Sequence, residues 1–379
     1  MERKIWANSG DSHFLEPADL FTERMPRELA ERMPRSVKSE DGSKETVYID
    51  GESFDRPLPK PIRDGEFAGQ TIETLSARPP GAMNTYERLK DLDHEGIWGE
   101  VTFPSLGMWA NMIKDPMLVR EGSKAVNDWA MDEIQNVAPD RLIATAMLPL
   151  LDPQDAAAEV YRAKERGFYA VYLPTVPPHG MPTYNDPRWE PMWAAIAETG
   201  LVLTIHIGTD GGVTVFFRGP GGAVMNYVET TYGGQRATTQ LIAGGVLDRY
   251  ENLKVLIAEG GAAWAPFIGD RMNEGYRQHG MFVRPKLSLL PKEYIYRQVY
   301  VSFQHDVTAV DAVTSMGYQN VMWGSDYPHL EGTYGHTQKT LHELFDGVDP
   351  AVRHRVTIGS FLDLFPHIGE PPGNVEQRQ

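Results

Sequence analysis

Apolar and polar positions alternate in blocks along the chain: short β-type runs are each followed by a longer stretch with the 3.6-residue period of an amphipathic helix. The β-type runs are Ile5–Gly10, Gly99–Pro104, Leu142–Leu148, Tyr169–Pro174, LVLTIHIG from Leu201, LKVLIAEGG from Leu253, VYVSFQHD from Val299 and NVMWGSD from Asn320. The helical stretches carry their own punctuation. DPQDAAAEVYRAKERG opens on an Asp-Pro entrance and stops at Gly167, and Tyr86–His94 is an amphipathic run leading into the second strand. Strands alternating with helices pair in parallel through βαβ units. Eight of them predict closure into a (β/α)8 barrel, a TIM-like α/β fold, in preference to an open doubly wound sheet.

Two stretches exceed a barrel connection. Residues 21–83 are Pro-rich and polar and are expected to form an inserted cap within one domain spanning residues 1–379, with VYIDGESF as a small hairpin turning at Asp50-Gly51. The Gly-rich segment GTDGGVTVFFRGPGGAVMNY after the fifth strand lacks the GK[ST] ending of a phosphate-cradling loop, which leaves a mobile pocket wall or a plain loop.

Composition narrows the chemistry. At 379 residues the chain exceeds a minimal barrel and falls short of two. No apolar run reaches the length of about 18 residues that a membrane span needs. The start, MERKIWANSGDSH, has no apolar signal region, the pattern expected of an intracellular, cytoplasmic protein. A net charge of −16 without a basic run argues against nucleic acid and leaves a small molecule as the expected substrate. The absence of Cys removes disulfides, thiolate metal sites and a Cys nucleophile together, so His and carboxylates are the strong ligands that remain.

In a barrel the C-terminal ends of the strands converge on the face that carries catalysis. Asp11 and His13 follow strand one two residues apart, so in extended backbone both point the same way. His206 ends strand five, Glu259 ends strand six, and Asp326 with His329 ends strand eight. Each has an ordinary reading alone: His206 as a hydrogen-bonded core residue, Asp11 or Asp326 as a helix N-cap, Glu259 beside Gly260-Gly261 as a surface turn. Their coincidence at strand exits predicts instead a divalent metal held by Asp11, His13, His206, Glu259, Asp326 and His329. Catalytic roles fall to Asp326, Glu259 and His305. His305 and Asp306 end strand seven, and His305 either fixes a ligating carboxylate by a hydrogen bond or has no role. His179 reads as a loop residue, and His94, His279, His336, His342, His354 and His367 as surface positions. Tyr48, Phe54, Trp109 and the stretch Phe216–Arg218 either line the pocket or pack on the rim, Arg218 being suited to a substrate carboxylate.

The segments DSHFLEP at Asp11, HIG at His206, AEGGAAW at Ala258 and WGSDYPH at Trp323 resemble the amidohydrolase-related family over nearly the whole chain. The resemblance implies a distorted (β/α)8 barrel with a divalent metal at its mouth, its ligands falling on Asp11, His13, His206 and Asp326. Three departures stand out. Asp11 replaces the first member of the His-x-His pair common in the family's hydrolases. Glu259 stands where many members carry a His, and Tyr169–Pro174 contains no Lys where two-metal hydrolases carry a carboxylated one. Three carboxylates with three His suit iron or manganese as well as zinc. Six ligands also exceed the roughly three of an open catalytic zinc, so two ions are expected, with Glu259 as a bridge.

On that count the chain resembles the family's dinuclear non-haem iron or manganese monooxygenases. That likeness implies hydroxylation of a C–H bond in a small molecule, with O2 and an external electron donor, since the chain shows no flavin or NAD fingerprint. The alternative is a metal-dependent hydrolase or non-oxidative decarboxylase, in which a metal polarises a carbonyl or carboxylate and Asp326 is ligand or proton shuttle. A non-catalytic partner subunit of a related barrel is the third reading, which the intact ligand set disfavours. The family further implies a homo-oligomer or a hetero-oligomer with a paralogous barrel.

Overall fold

The structure, a computed structural model, describes all residues except 1–3, 58–60, 62–64, 66–67, 71–78, 106–111, 211–216, 218 and 372–379. Trp109, Phe216 and Arg218, weighed above as pocket residues, lie outside the described residues, as does part of the 21–83 insertion. The first stave is broken into β1 (Ala7–Ser9) and β2 (His13–Phe14). A separate antiparallel sheet follows, β3 (Arg35–Lys38), β4 (Lys44–Ile49) and β5 (Glu52–Pro57). The remaining staves are β6 (Ile97–Pro104), β7 (Leu142–Met147), β8 (Ala170–Val176), β9 (Val202–Asp210), β10 (Val255–Ala258), β11 (Val299–Phe303) and β12 (Val321–Trp323).

These staves form one parallel sheet in the order β1-β6-β7-β8-β9-β10-β11-β12, with β2 also paired to β6. The sheet curls back on itself through a parallel bridge between Ser12 and Tyr327. Gly10 N–H donates to Trp323 O (2.9 Å), Asp326 N–H to Asp11 O (3.0 Å) and His13 N–H to Tyr327 O (2.6 Å) across the same seam. The result is a nearly closed eight-stave (β/α)8 barrel, as the alternation predicts.

Helices cross between the staves. Helix Pro153–Arg166 starts where the Asp152 side chain accepts from Gln154 N–H and ends at Gly167 (φ 97°), the cap and stop read from sequence. Helix Thr85–Glu95 is capped by Asn84 in the same way and ends at Gly96 (φ 83°). The hairpin at Asp50-Gly51 forms with positive φ at both residues (50° and 79°), as a tight two-residue turn requires. Its strands recruit β3, so the insertion carries a three-stranded sheet in place of the small hairpin expected. No helix among the described residues is long and apolar enough to cross a membrane.

Alternation along the strands sorts the core into two layers. Val101, Ile143, Tyr172, Val202, Leu256, Tyr300 and Met322 fill the barrel with Phe361 and Phe365 from the C-terminal segment. Leu142, Ala144, Leu203, Ile205, Val255, Ile257, Val299 and Val301 pack outward against the helices. This parity decides which side chains at the strand exits face inward.

Candidate metal centre

On β9, Val202 faces the barrel interior, so two steps of two bring His206 to the same face at the exit. On β12 the interior residue Met322 is followed at the same parity by Gly324 and Asp326. Gly324 is required there: a Cβ on it would stand 2.8 Å from Asp11 Cβ, so any side chain would push Asp11 out. The break between β1 and β2 places Asp11 on the seam. Ser9 Oγ donates to Asp11 O (2.6 Å) and accepts from Ser325 N–H (2.8 Å), which ties the Asp11 and Asp326 turns together.

Among the described residues three non-glycines have positive φ. One is Asp50 at the hairpin, and the others are Glu259 (63°) and Asp326 (52°). Left-handed backbone at an L-residue costs energy and persists where the surroundings enforce it, as they do at functional sites. At Glu259 the enforcing contacts are Ser302 Oγ, which accepts from Glu259 N–H (2.9 Å), and Ser302 O, which accepts from Gly261 N–H (3.1 Å).

The six residues predicted as ligands come together. Asp11, His13 and His206 form one group of converging donor atoms, His13, Asp326 and His329 a second, and Asp11, Glu259 and Asp326 a third, each within 4.8 Å. His13 Nε2 and His206 Nε2 are 3.0 Å apart. Asp11 Oδ1 lies 3.2 Å from His206 Nε2, Asp326 Oδ1 3.5 Å from His13 Nε2, and Glu259 Oε2 3.8 Å from His206 Nε2. His329 stacks on His13 with ring centroids 4.1 Å apart and sets Nδ1 2.8 Å from Asp326 Oδ1. Asp11, His13 and Asp326 are fully buried and His206 nearly so, whereas Glu259 and His329 open on the cavity beyond.

These donors fit a divalent ion. Bonds of about 2.1 Å at right angles put neighbouring ligand atoms roughly 3 Å apart, the spacing of His206 Nε2 from His13 Nε2 (3.0 Å) and from Asp11 Oδ1 (3.2 Å), with His13 Nε2 and Asp11 Oδ1 wider at 3.8 Å. His206 Nδ1 lies 2.8 Å from the Ile207 carbonyl and donates its proton there, which leaves the Nε2 lone pair for a metal. Asp11 Oδ2 is buried without a hydrogen-bond donor, a cost that a bound cation removes.

Electrostatics describe the same crowding. Burial, then the charge of Asp326, pushes the Glu259 carboxyl well above its ordinary range. Burial alone would lower His206, but the charge of Asp11, its hydrogen bond and the charge of Glu259 outweigh it and raise the imidazole to about 9. Burial lowers His329. A cavity of about 710 Å³ opens above the cluster, lined by His206, Glu259, Gln304, Asp306, His329 and Glu331 with one face of helix Gly222–Ala243. Tyr227 of that helix is raised to about 12 by burial and by Glu259, Asp306, Glu331 and Asp326.

His305 is not brought to the cluster. It has the outward parity of Val299, Val301 and Phe303, is exposed, sets Nε2 3.2 Å from the Glu331 carbonyl and stacks on His336. Asp306 lines the cavity instead, its carboxyl raised by burial. His179 is exposed in its loop, and Tyr48 and Phe54 sit in the inserted sheet away from the cavity lining. Sequence reasoning missed the buried pair Arg88 and Glu100. Arg88 Nε donates to Glu100, its Nη1 donates to the His13 carbonyl (2.8 Å), and its guanidinium lies over Phe14 and Tyr327. The available signal was an Arg on the inward face of helix Thr85–Glu95 and a Glu inside an apolar strand.

A chain with six convergent metal-ligand side chains at the mouth of a (β/α)8 barrel is built as a metal-dependent enzyme. A family model described as amidohydrolase matches residues 86–359, and the chain belongs to that family. It is 24% identical over 298 residues to gamma-resorcylate decarboxylase of Rhizobium radiobacter, covering 72% of this chain and 85% of that protein. Its fold is similar to an amidohydrolase from Mycobacterium avium subsp. paratuberculosis K-10, with TM-score 0.79, 20% identity and coverage of 97% of this chain and 100% of that one. It is also similar to a dihydroxybenzoic acid decarboxylase from Polaromonas sp. JS666 with bound manganese and the inhibitor 2-nitroresorcinol, with TM-score 0.61, 18% identity and coverage of 96% and 98%.

The decarboxylases among these relatives overturn the monooxygenase expectation, and with it the external electron donor and O2. The inference failed because ligand type constrains the metal and leaves the reaction open. Carboxylate and imidazole donors that suit an oxygen-activating iron pair suit a redox-silent manganese equally well.

Proposed function

We propose that this protein is a metal-dependent, non-oxidative decarboxylase of a hydroxylated aromatic carboxylic acid. The observation that carries the reading is the gathering of Asp11, His13, His206 and Asp326 in overlapping donor groups beneath a cavity large enough for a substituted benzoate, in a chain similar to decarboxylases of that class. Those four residues would hold one divalent ion, manganese being the metal their mixed donors and a relative's contents favour. The three donor groups share His13, Asp11 and Asp326 among themselves, which supports a single centre over two. When bound, such an ion supplies positive charge that anchors the substrate carboxylate and stabilises charge developing on the ring.

The reaction breaks the bond between the ring carbon and the carboxylate, releases CO2 and returns a proton to that carbon. It requires no oxidant and no electrons. Glu259 is the group suited to give the proton: it borders the cavity, and burial, then the charge of Asp326, pushes its carboxyl above its ordinary range, towards the protonated form a general acid needs. Asp326, fixed by its backbone hydrogen bond to Asp11, is the neighbouring carboxylate whose charge raises Glu259. The buried faces of Asp11, His13 and Asp326 exclude water from the floor, which protects the carbanionic ring from random protonation.

The test is to incubate manganese-loaded protein with 2,6-dihydroxybenzoate and related phenolic acids, following CO2 and the decarboxylated phenol with dissolved O2 in parallel. Formation of the phenol and CO2 without O2 uptake is expected. Turnover that consumes O2, or no decarboxylation across the phenolic acids, would reject the reading.

A further inference from the structure

Besides its ionisable groups, the cavity wall carries a side chain that none of the interactions above uses. Gln304 follows β11, whose interior-facing positions are Tyr300 and, by the period of two, Ser302 and Gln304. It therefore continues the inward face past the end of the strand, between the exit bearing Glu259 and the turn bearing His329, and it lines the cavity. It is 5% exposed, and its Nε2 is buried with no hydrogen-bond partner. A buried amide donor left unmade is destabilising, so its retention beside a cavity points to a partner that arrives with the ligand.

The surroundings say what kind of partner. The acids among the lining residues are Glu259, Asp306 and Glu331, beside the imidazoles of His206 and His329 and the phenol of Tyr227, with no Lys or Arg among the described lining residues. An anionic ligand entering this cavity finds no fixed cationic side chain among those residues and gains from neutral donors next to the ion. Gln304 supplies one that is desolvated and unspent, held in place by a barrel strand.

We propose that Gln304 is a substrate-binding residue whose Nε2–H donates to a carboxylate oxygen of the aromatic acid and so selects for the carboxylate. This rests on the decarboxylase reading. Its consequence is an unusual split: the group that improves binding of the acid costs the ligand-free fold stability. A glutamine with a purely structural task would show the opposite, because its removal would weaken the fold.

The experiment compares wild type with Gln304→Met, which keeps the length and removes the donor, and Gln304→Glu, which keeps the shape and replaces the donor by an oxygen. With manganese-loaded protein, binding of 2,6-dihydroxybenzoate and of resorcinol, the same ring without the carboxylate, is measured by calorimetry, together with the thermal midpoint of ligand-free protein. Both variants are expected to weaken the acid by about tenfold and resorcinol by less than about twofold. The midpoint of Gln304→Met should be unchanged or higher, with manganese content as in wild type. Undiminished binding of the acid in both variants overturns the assignment and leaves the decarboxylase reading standing. A lowered midpoint with both probes weakened alike overturns it in favour of a structural role. Failure of wild type to bind either probe, or to act on any phenolic acid, removes the decarboxylase reading and this assignment with it.

Discussion

Asp326 joins three constraints in one residue. Its φ of 52° is strained, its N–H is bound to Asp11 O, and its carboxylate lies near both His13 and His329. Asp326→Asn keeps the size and removes the charge, so it separates ligation from packing. Manganese affinity is expected to fall by at least about 100-fold, beyond the effect of altering a ligand's supporting partner, with the urea midpoint of the metal-free protein little changed. Equilibrium dialysis checks the first and a denaturation curve the second. The metal-free site also fixes a pH dependence. His206 is raised to about 9, so at neutral pH the empty cluster holds a proton there. A cation binds the deprotonated forms and must displace a proton from His206, so manganese affinity should climb by up to about tenfold per pH unit from pH 6 towards 9 and then level off. A flat affinity over that range would mean that His206 is already deprotonated and that the crowding of carboxylates around it has been overstated.

Between residues and the whole barrel, the elements decide which exit residues meet. The positions were legible in sequence where a strand could be counted. His206 and Asp326 follow from the period of two on β9 and β12, and helix Pro153–Arg166 from its cap and stop. The same count along VYVSFQHD puts Gln304 inward and His305 outward, so His305 was misassigned by its chemistry against its parity. What sequence withheld was long-range. The pairing of Arg88 on a helix with Glu100 on β6 joins residues 12 apart across a crossover, and no local pattern announces that both are fully buried. That pair makes an element-scale prediction. Arg88→Met strands Glu100 as a buried charge and should cost about 3–5 kcal/mol in urea denaturation, whereas the double variant Arg88→Met, Glu100→Met should recover most of the loss. Manganese affinity should stay reduced in both, because each lacks the donor that holds the His13 carbonyl. Recovery of affinity together with stability would show that Arg88 serves the fold alone.

For the whole molecule, the cluster is where the barrel closes. The four proposed ligands Asp11, His13, His206 and Asp326 lie on the first, fifth and eighth staves, and the seam between first and last rests on one parallel bridge and a few backbone hydrogen bonds. A chain of net charge −16 that crowds Asp11, Glu259 and Asp326 within 4.8 Å of one another concentrates repulsion at that seam. A cation bound there cancels the repulsion and cross-links the two edges, and because the unfolded chain has no such site, binding free energy becomes folding free energy. Manganese at 100 times its dissociation constant should therefore raise stability by about 2.7 kcal/mol. Stripping with a chelator should lower the thermal midpoint, and adding manganese should restore it with a stoichiometry of one ion per chain. Asp326→Asn should not respond to either treatment. Hydrogen exchange locates the effect: protection should rise at the β1 and β12 seam more than in β7, which is paired on both sides and fully buried in either state. An equal gain in β7 would mean that the ion stabilises the barrel globally, while no gain anywhere would remove the metal from this site altogether.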